Sequence, residues 1–537
     1  MKKYLFLAVA ALGLAACAEK GLDNNGPANN GELEQSYVAV TLAADDMGTK
    51  ATNGNSYEEG LDVERAVKSA YFFFFKDGQP FEVTENAGTT TPGGGKNYLS
   101  IPLSGSTSDM DNVSDIKDVV LVIKNYKGEY PNQIVTVLNW TPTADKYTLA
   151  ALKEAVVSLG SDAAGYVMSN SVYVDNEGQA IDAVALTEAN IGTTIDQAKA
   201  SPVTIHVERV AAKVVLTTTP ADNLFSVGKS IDGTDVYAKV LGWELYNDHE
   251  TSYLLKNIDG YADWTGTAFG FTNWNDPDWF RSYWANSLPL TTPFPNNTFA
   301  HDDTNAVGGY VYCGENTHKA VKDGEGNITS DPRTKVIVKA QLVQADGTTA
   351  VEVANWYGKD YIGEAKLRDV VANTLKSTYF TSTDGLTFVG LLPEDLKCVA
   401  RAPQAEKPYE VDFQLSDAGV AKTTWYKYSA GEYSTIDATA LNNELMSVQP
   451  ALVYKEGMTY YYTDIKHLGT ADSDTEFGVV RNHVYKVNIS AISGYGTPYY
   501  EGNIEYIKPE KPVDVTSYVA AEVKILSWRV VAGNYEL

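Results

Sequence analysis

Cys17 is the first residue of this sequence with chemistry to offer. Leu14-Ala15-Ala16 stands directly before it, Lys2 and Lys3 give a basic start, and Tyr4–Leu14 form a short apolar run. Small side chains fit a signal-peptidase cleft, and a thiol behind them accepts a diacylglycerol. Residues 1–16 therefore read as a secretory leader and Cys17 as a lipidated residue. The apolar run is too short and wrongly flanked to span a bilayer. An ordinary leader that happens to hold a cysteine is the alternative. Ala18 at the next position, where Asp would retain a lipoprotein, suits passage to the outer membrane.

The second site is Lys50. It lies in Asp45-Asp-Met-Gly-Thr-Lys50-Ala51-Thr-Asn-Gly54, a polar stretch with one basic residue. A trypsin-like or Lys-specific protease needs such a residue in an extended, exposed loop, so the expected cut falls between Lys50 and Ala51. Elsewhere the catalytic templates fail: there is no Gly-x-Ser-x-Gly elbow, P-loop, dinucleotide fingerprint or His-Glu-x-x-His. His206, His467 and His483 are scattered, and Cys313 near His318 lacks the further ligands of a zinc site or the third member of a nucleophile triad. Asp323-Gly-Glu-Gly-Asn327 is too short for a calcium loop and reads as a turn between strands. Cys313 and Cys398 suit either one disulfide or two free buried thiols. The aromatics from Trp264 to Trp284 would either stack on sugar rings or pin a long loop to a sheet. No enzyme activity, cofactor or metal is expected.

These residues must be positioned by strands. Tyrosine, valine and threonine are abundant, and period-two alternation recurs in 37–42, 118–123, 133–138, 203–207, 212–216, 335–343, 459–462, 483–489 and 519–531, between Gly, Asn, Asp and Pro clusters. Helical spacing appears only over 148–159 and 363–372. The expected fold is mostly β, in antiparallel sandwich domains with a few short helices. The expected divisions are a lipidated propeptide (17–50) including a first strand, a first block (51–203), a second block (204–510) and a tail (511–537). Ile205–Leu216 reads as the strand opening the second block, and Pro509–Val515 as a stiff, charged linker. The net charge of -27 argues against nucleic-acid partners.

Both ends of the expected mature chain carry similar apolar ladders. Ser36–Ala43 sets Val38, Val40 and Leu42 on one face of a strand. In the tail, Val519, Ala521, Val523 and Ile525 share a face, and the apolar phase then slips to Leu526, Trp528 and Val530, which predicts a bend or bulge between the halves. Removing the first strand would leave a groove with unpaired backbone edges, which the tail of a neighbour fills by strand addition. Such a head-to-tail contact does not close and generates a filament. The alternative is that Tyr518–Leu537 is the last strand of its own domain.

The chain resembles the Mfa-type fimbrillins, structural subunits of short type V fimbriae related to the FimA-type fimbrillins. The resemblance is carried by the Leu-Ala-Ala-Cys17 signal, Ser36-Tyr-Val-Ala-Val-Thr-Leu42 before Gly48-Thr-Lys50-Ala51, and Val207-Glu-Arg-Val-Ala-Ala-Lys213. It continues through Trp243, Tyr253-Leu-Leu-Lys256, Glu315-Asn-Thr-His-Lys319, Gly457–Tyr462, Val479-Val-Arg-Asn-His-Val-Tyr485 and Ile489. Ala521-Glu-Val-Lys-Ile-Leu-Ser-Trp528 and Tyr535-Glu-Leu537 close it. It implies two transthyretin-like β-sandwich domains, a lipid-anchored precursor in the outer membrane, and release of the first strand by an Arg- or Lys-specific protease. Polymerisation through the C-terminal strand into an extracellular fimbrium follows. The implied partners are identical subunits, accessory anchor and tip proteins, the processing protease, and host or bacterial surface receptors. Lysine stands before the cut where that family pattern has arginine, and the linker before the tail is shorter than the family's Pro- and Asn-rich one. The expected role is a shaft subunit supporting adhesion. An anchor or tip subunit, or a glycan-binding lipoprotein using 264–284, is the alternative.

Overall fold

The structure is a computed structural model that describes residues 33–43, 60–83, 95–101, 118–126, 128–174, 180–231, 233–259, 282, 284–291, 304–326, 328–402, 407–422, 424–468, 473–500, 518–526 and 532–533. It is mostly β. The first strands are β1 (Leu33–Ala43), β2 (Ala70–Lys76), β3 (Tyr98–Ile101), β4 (Asp118–Tyr126), β5 (Gln133–Leu138), β6 (Met168–Asn170) and β7 (Val203–Arg209). In β2 the run Tyr71-Phe-Phe-Phe-Phe75 is aromatic at every step because both faces are covered. Phe72 and Phe74 enter one core with Val38, Val40, Leu121, Ile134 and Ile205. Phe73 and Phe75 enter a flanking cluster on the other side of the sheet with Val135, Val137, Leu152 and Leu255.

β7 joins the two sheets that enclose the first core. Its first half pairs parallel with β1, from Val40↔Val203 to Ala43↔His206, and its second half pairs antiparallel with β6. β6, β5 and β2 then continue the second sheet. A strand that switches sheets in this way makes the corner of a sandwich.

The next sandwich is built from β8 (Ala212–Thr218), β9 (Leu224–Lys229), β10 (Asp235–Tyr246), β11 (Tyr310–Cys313), β12 (Lys335–Val343), β13 (Met458–Asp464), β14 (Val484–Ser493) and β15 (Tyr518–Leu526). One sheet runs β11-β8-β14-β15 and ends on Ala532–Gly533; the other runs β9-β10-β12-β13 and ends on Thr497–Pro498. Between them lies the second sandwich core, where Val214, Leu216, Val487 and Ile489 meet Val240, Trp243, Val338 and Leu342. Gly457 turns the chain into β13 at φ +77, and a Cβ there would run into the Leu342 carbonyl oxygen.

The stretch Ile205–Leu216, expected as one strand, is two. β7 ends in the first sandwich, Val210 and Ala211 cross fully buried, and β8 begins the second. The physical signal is a phase slip. Apolar residues sit at Val203, Ile205 and Val207, then at Ala212, Val214 and Leu216, so the buried face changes sides at the crossing.

Residues between β12 and β13 form a third core. A sheet of Lys359–Ile362, Val353–Trp356, Ala451–Tyr454, Glu410–Leu415 and Leu396–Ala400 is covered by the helices Gly363–Leu375 and Ala438–Leu445, with Leu367, Val371, Phe413, Trp425 and Leu441 in its interior. The block expected over 204–510 thus holds two cores. The helix expected at 148–159 stops at Glu154, with Thr148 as its N-cap accepting from Ala151 N at 3.0 Å, because Val156–Ser158 pairs with Thr251–Tyr253.

A charged cluster pins the end of the β12–β13 ladder. Lys335 lies opposite Asp464, and Arg333 Nη2 reaches Asp331 Oδ2 at 2.6 Å and Asp464 Oδ2 at 3.2 Å. Burial alone would raise the Asp331 carboxyl, but Arg333 and Lys335 hold it down at about 2. Its folded value is below the unfolded one, so its stabilisation is complete above roughly pH 5 and is lost as pH falls toward about 2. Asp331→Asn should lower the urea midpoint at pH 7, and the gap from the parent should close as unfolding is repeated toward the bottom of that window. A constant gap would contradict the assignment.

Candidate assembly site at the two terminal strands

β1 is held on both edges. β4 pairs with it antiparallel from Leu33↔Tyr126 to Thr41↔Asp118, while β7 and Ile191–Gly192 occupy its other edge. Val38 and Val40 are buried in the core below, and Ala39 on the opposite face is buried too. Two fully buried valines contribute roughly 3–6 kcal/mol beyond the backbone ladders. β1 is therefore an interior strand, and its removal would separate β4 from β7.

β15 is placed differently. It pairs antiparallel with β14 from Ser493↔Tyr518 to Val484↔Leu526, while among the described residues its outer edge meets Ala532–Gly533 alone, through Val523 and Lys524. In this register Val519, Ala521, Val523 and Ile525 stand opposite Ile492, Ile489, Val487 and Tyr485, and these four β14 residues are buried in the second core. The strand ends at Leu526, and Ala532–Gly533 pair antiparallel with it; the second half of the expected bend, Trp528 and Val530, lies outside the described residues. A register shift also occurs in β14, between Ile489 and Ala491. Within one chain the tail completes its own sheet, in the way the single-domain alternative describes.

The family model for the C-terminal part of fimbrillin, described as major fimbrial subunit protein type IV, matches residues 452–534, the span from the start of β13's approach through the tail hairpin. This chain carries a fimbrillin C-terminal region. The match covers the C-terminal region alone and leaves residues 1–451 outside it. No curated protein matches the sequence. Among solved structures, it is similar to a fimbrilin (FimA) from Porphyromonas gingivalis at 12% identity, covering 93% of this chain and 98% of that one with a TM-score of 0.38. A putative cell adhesion protein from Parabacteroides distasonis is similar at 14% identity, 91% and 96% coverage and a TM-score of 0.35. The tip fimbrial protein Mfa3 from P. gingivalis follows at 12% identity, 91% and 99% coverage and a TM-score of 0.32.

In this chain, β7 and β8 form one continuous segment linking the two terminal strands: β7 borders β1, and β8 pairs with β14, which holds β15. The crossing between them is packed with buried charge that sequence reasoning missed as a group. Lys213 Nζ and the Tyr312 hydroxyl each lie 2.5 Å from Glu64 Oε1, and Arg209 Nε donates to the Glu64 carbonyl oxygen at 2.6 Å. Lys256 Nζ lies 3.0 Å from Glu208 Oε1 and donates to the Ser282 carbonyl at 2.6 Å. Arg481 clasps Glu315 Oε2 through Nε at 2.9 Å and Nη2 at 2.7 Å, and also donates to the Tyr253 and Leu254 carbonyls. Burial pushes the Glu208 carboxyl up and the Lys256 ammonium down, each pulled back by the opposite charges around it. The available signal was charge inside strand-like runs, as in Val207-Glu-Arg-Val210 and Val480-Arg-Asn482.

Cys17, Lys50, Ala51, Trp528, Val530 and Trp264–Phe280 lie outside the described residues. Leu42 pairs opposite Ile205. Cys313 and Cys398 are free buried thiols in different cores, which removes the disulfide alternative, and burial pushes both thiols up. Trp284 is a core residue, its ring 5.4 Å from that of buried His467. His467 and His483 hydrogen-bond to the Tyr485 hydroxyl and the Arg481 carbonyl. Asp323 caps a turn in the hairpin Val321–Ser330. Among the described residues no group of side chains is placed to hold a metal, and no helix is long and apolar enough to cross a membrane.

Proposed function

We propose that this protein is the shaft subunit of a type V fimbria. It is exported as a lipoprotein lipidated on Cys17, cut between Lys50 and Ala51, and polymerised head to tail through β15, in support of adhesion. The observation that carries this reading is the position of β1 between β4 and β7. Cleavage after Lys50 detaches β1 from everything that follows it, so the lipid and the strand leave together. The edges of β4 and β7 then lack partners, and an added strand regains both ladders at once. β15 is suited to that place because it leaves behind one full ladder and gains two. Identical subunits, a processing protease, anchor and tip proteins and surface receptors are the partners this cycle requires.

The N-terminal residue of protein taken from the cell surface tests the cycle. Ala51 is the expected result; lipidated Cys17 on filament subunits would overturn the shaft reading in favour of an anchor. Lys50→Ala should leave the full-length lipidated form and reduce filament yield at least about tenfold, since β1 then stays in its slot. An undiminished yield by electron microscopy would reject the cleavage step.

A further inference from the structure

At the start of β14 the second core meets two buried histidines that the assembly cycle does not use. His483 directly precedes β14, and its carbonyl accepts from Lys213 N at 3.0 Å, which ties this point to β8. His467 follows β13, where its backbone N–H donates to the Glu476 carbonyl at 2.6 Å. The two rings meet edge-on with centroids 5.2 Å apart. Tyr485, fully buried in β14, completes the group at 5.9 Å from the His467 ring and 6.1 Å from that of His483. Hydrogen bonds fix where each ring carries its proton. Val480 N–H donates to the Tyr485 hydroxyl at 2.8 Å, and the hydroxyl's own proton finds its acceptor in His467 Nδ1 at 2.9 Å. His467 Nδ1 must be bare to accept it. His483 Nδ1 carries a proton, since the group it meets at 2.7 Å is the Arg481 carbonyl.

Val484 and Tyr485 stand opposite Leu526 and Ile525, so this group lies at the end of the ladder that docks the tail. We propose that His467 and His483 form an acid-sensitive latch on the tail: with both rings neutral, β15 stays docked on β14 of its own chain, and protonation frees its C-terminal end. Protonating His467 fills Nδ1 and takes away the acceptor of the buried Tyr485 hydroxyl. Protonating His483 puts a cation in buried space between His467 and Arg481. The carboxylates around the pair are already matched by cations: Glu315 by Arg481 at 2.7 Å, Glu64 by Lys213, Glu476 by Lys466 at 3.5 Å and Asp474 by Lys319 at 2.6 Å. The Tyr485 hydroxyl and the nearby Cys313 thiol are pushed up by burial and stay neutral. Charging the rings therefore loosens Tyr485 and the first residues of β14, and the ladder frays from Leu526 toward Tyr518. The latch rests on the β14–β15 pairing alone and is independent of cleavage after Lys50.

Hydrogen exchange on the uncleaved full chain, with rates corrected for the intrinsic effect of pH, tests the latch. Between about pH 7.5 and about pH 5.5, which brackets the ordinary imidazole range, protection of β15 should fall roughly tenfold or more relative to β12. Over this range Asp331, held down at about 2, keeps its charge, and His249, pushed down to about 4 by burial, stays neutral. Asn sets a non-titrating amide near the Nδ1 position, so His467→Asn should blunt the response and His467→Asn/His483→Asn should abolish it, with β15 protected at both pH values. Imidazole NMR shifts of the parent chain, followed over the same range, report protonation directly and need no variant to fold. Tail protection that does not change with pH would overturn the proposal. So would a full response in the double variant, or tail release at a pH where both rings are still neutral.

Discussion

A chain ending at Val515 should fold, remain monomeric and form no filaments. β15 lies at the edge of its sheet, and β14 keeps β8 on its other side when β15 is gone. Among the described residues, β8, β10, β12, β13 and β14 supply buried side chains to the second core. In the proposed cycle the loss falls on assembly, since without β15 no subunit would fill the slot that β1 vacates between β4 and β7. The expected readings are parent-like far-UV circular dichroism, a monomer by analytical ultracentrifugation, and filaments reduced below about a hundredth of the parent, since a lost two-ladder strand far exceeds the ~2.7 kcal/mol that such a ratio represents. Filaments of normal length from this chain would sink the donor role of the tail. Adding the missing segment 516–537 as a free peptide should cap processed subunits that expose the slot and block their growth, which separates strand addition from a folding defect.

The strand framework was largely legible because alternation is written plainly where one face is buried. β5 and β12 match the alternating runs residue for residue, and β1, β4, β13 and β14 match within a few residues. The failures share a cause. β2 alternates in no way a one-faced strand would, because Phe72 and Phe73 serve cores on opposite sides. The third core was invisible because its strands are short and its helix Ala438–Leu445 carries only Leu441 and Leu445 as buried anchors. The fate of Cys313 and Cys398 depended on which core each entered, and that is a property of topology.

Of the candidate site, the sequence identified the two strands but not the crossing that couples them. The motifs that carried the family resemblance at Glu208, Lys213, Lys256, Glu315 and Arg481 had no stated mechanism as sequence. In the structure they are members of the buried charge cluster around Val210 and Ala211. A charge in a strand reads as exposed until its partner is known, and these partners come from distant parts of the chain. Glu64 and Tyr312 meet across the crossing, as do Leu254 and Arg481.

Lys256→Met should be among the most damaging single substitutions in the protein. Both members of the Lys256–Glu208 pair are buried, and the ammonium also satisfies the Ser282 carbonyl. Removing the ammonium leaves a carboxyl in a place where burial already pushes it toward the neutral form, with Arg481 committed to Glu315. Breaking a buried pair from one side costs about 3–5 kcal/mol, whereas replacing both members by apolar groups of similar shape is often close to neutral. Lys256→Met/Glu208→Leu should therefore recover most of the loss, a non-additivity that a double-mutant cycle in urea would read directly. Amide exchange locates the effect. Protection across Val203–Thr218 should fall in the single variant and return in the double, while the third core, with Leu367 and Phe413, keeps its protection throughout. If the single substitution costs under about 1 kcal/mol, the pair is a solvated surface bridge in practice and the crossing is held by apolar packing alone. If instead it destabilises as expected, the segment that borders β1's slot and the segment that supports β15 are fastened by charge at their junction, so a pull on one terminal strand is delivered through Val210 and Ala211 to the other.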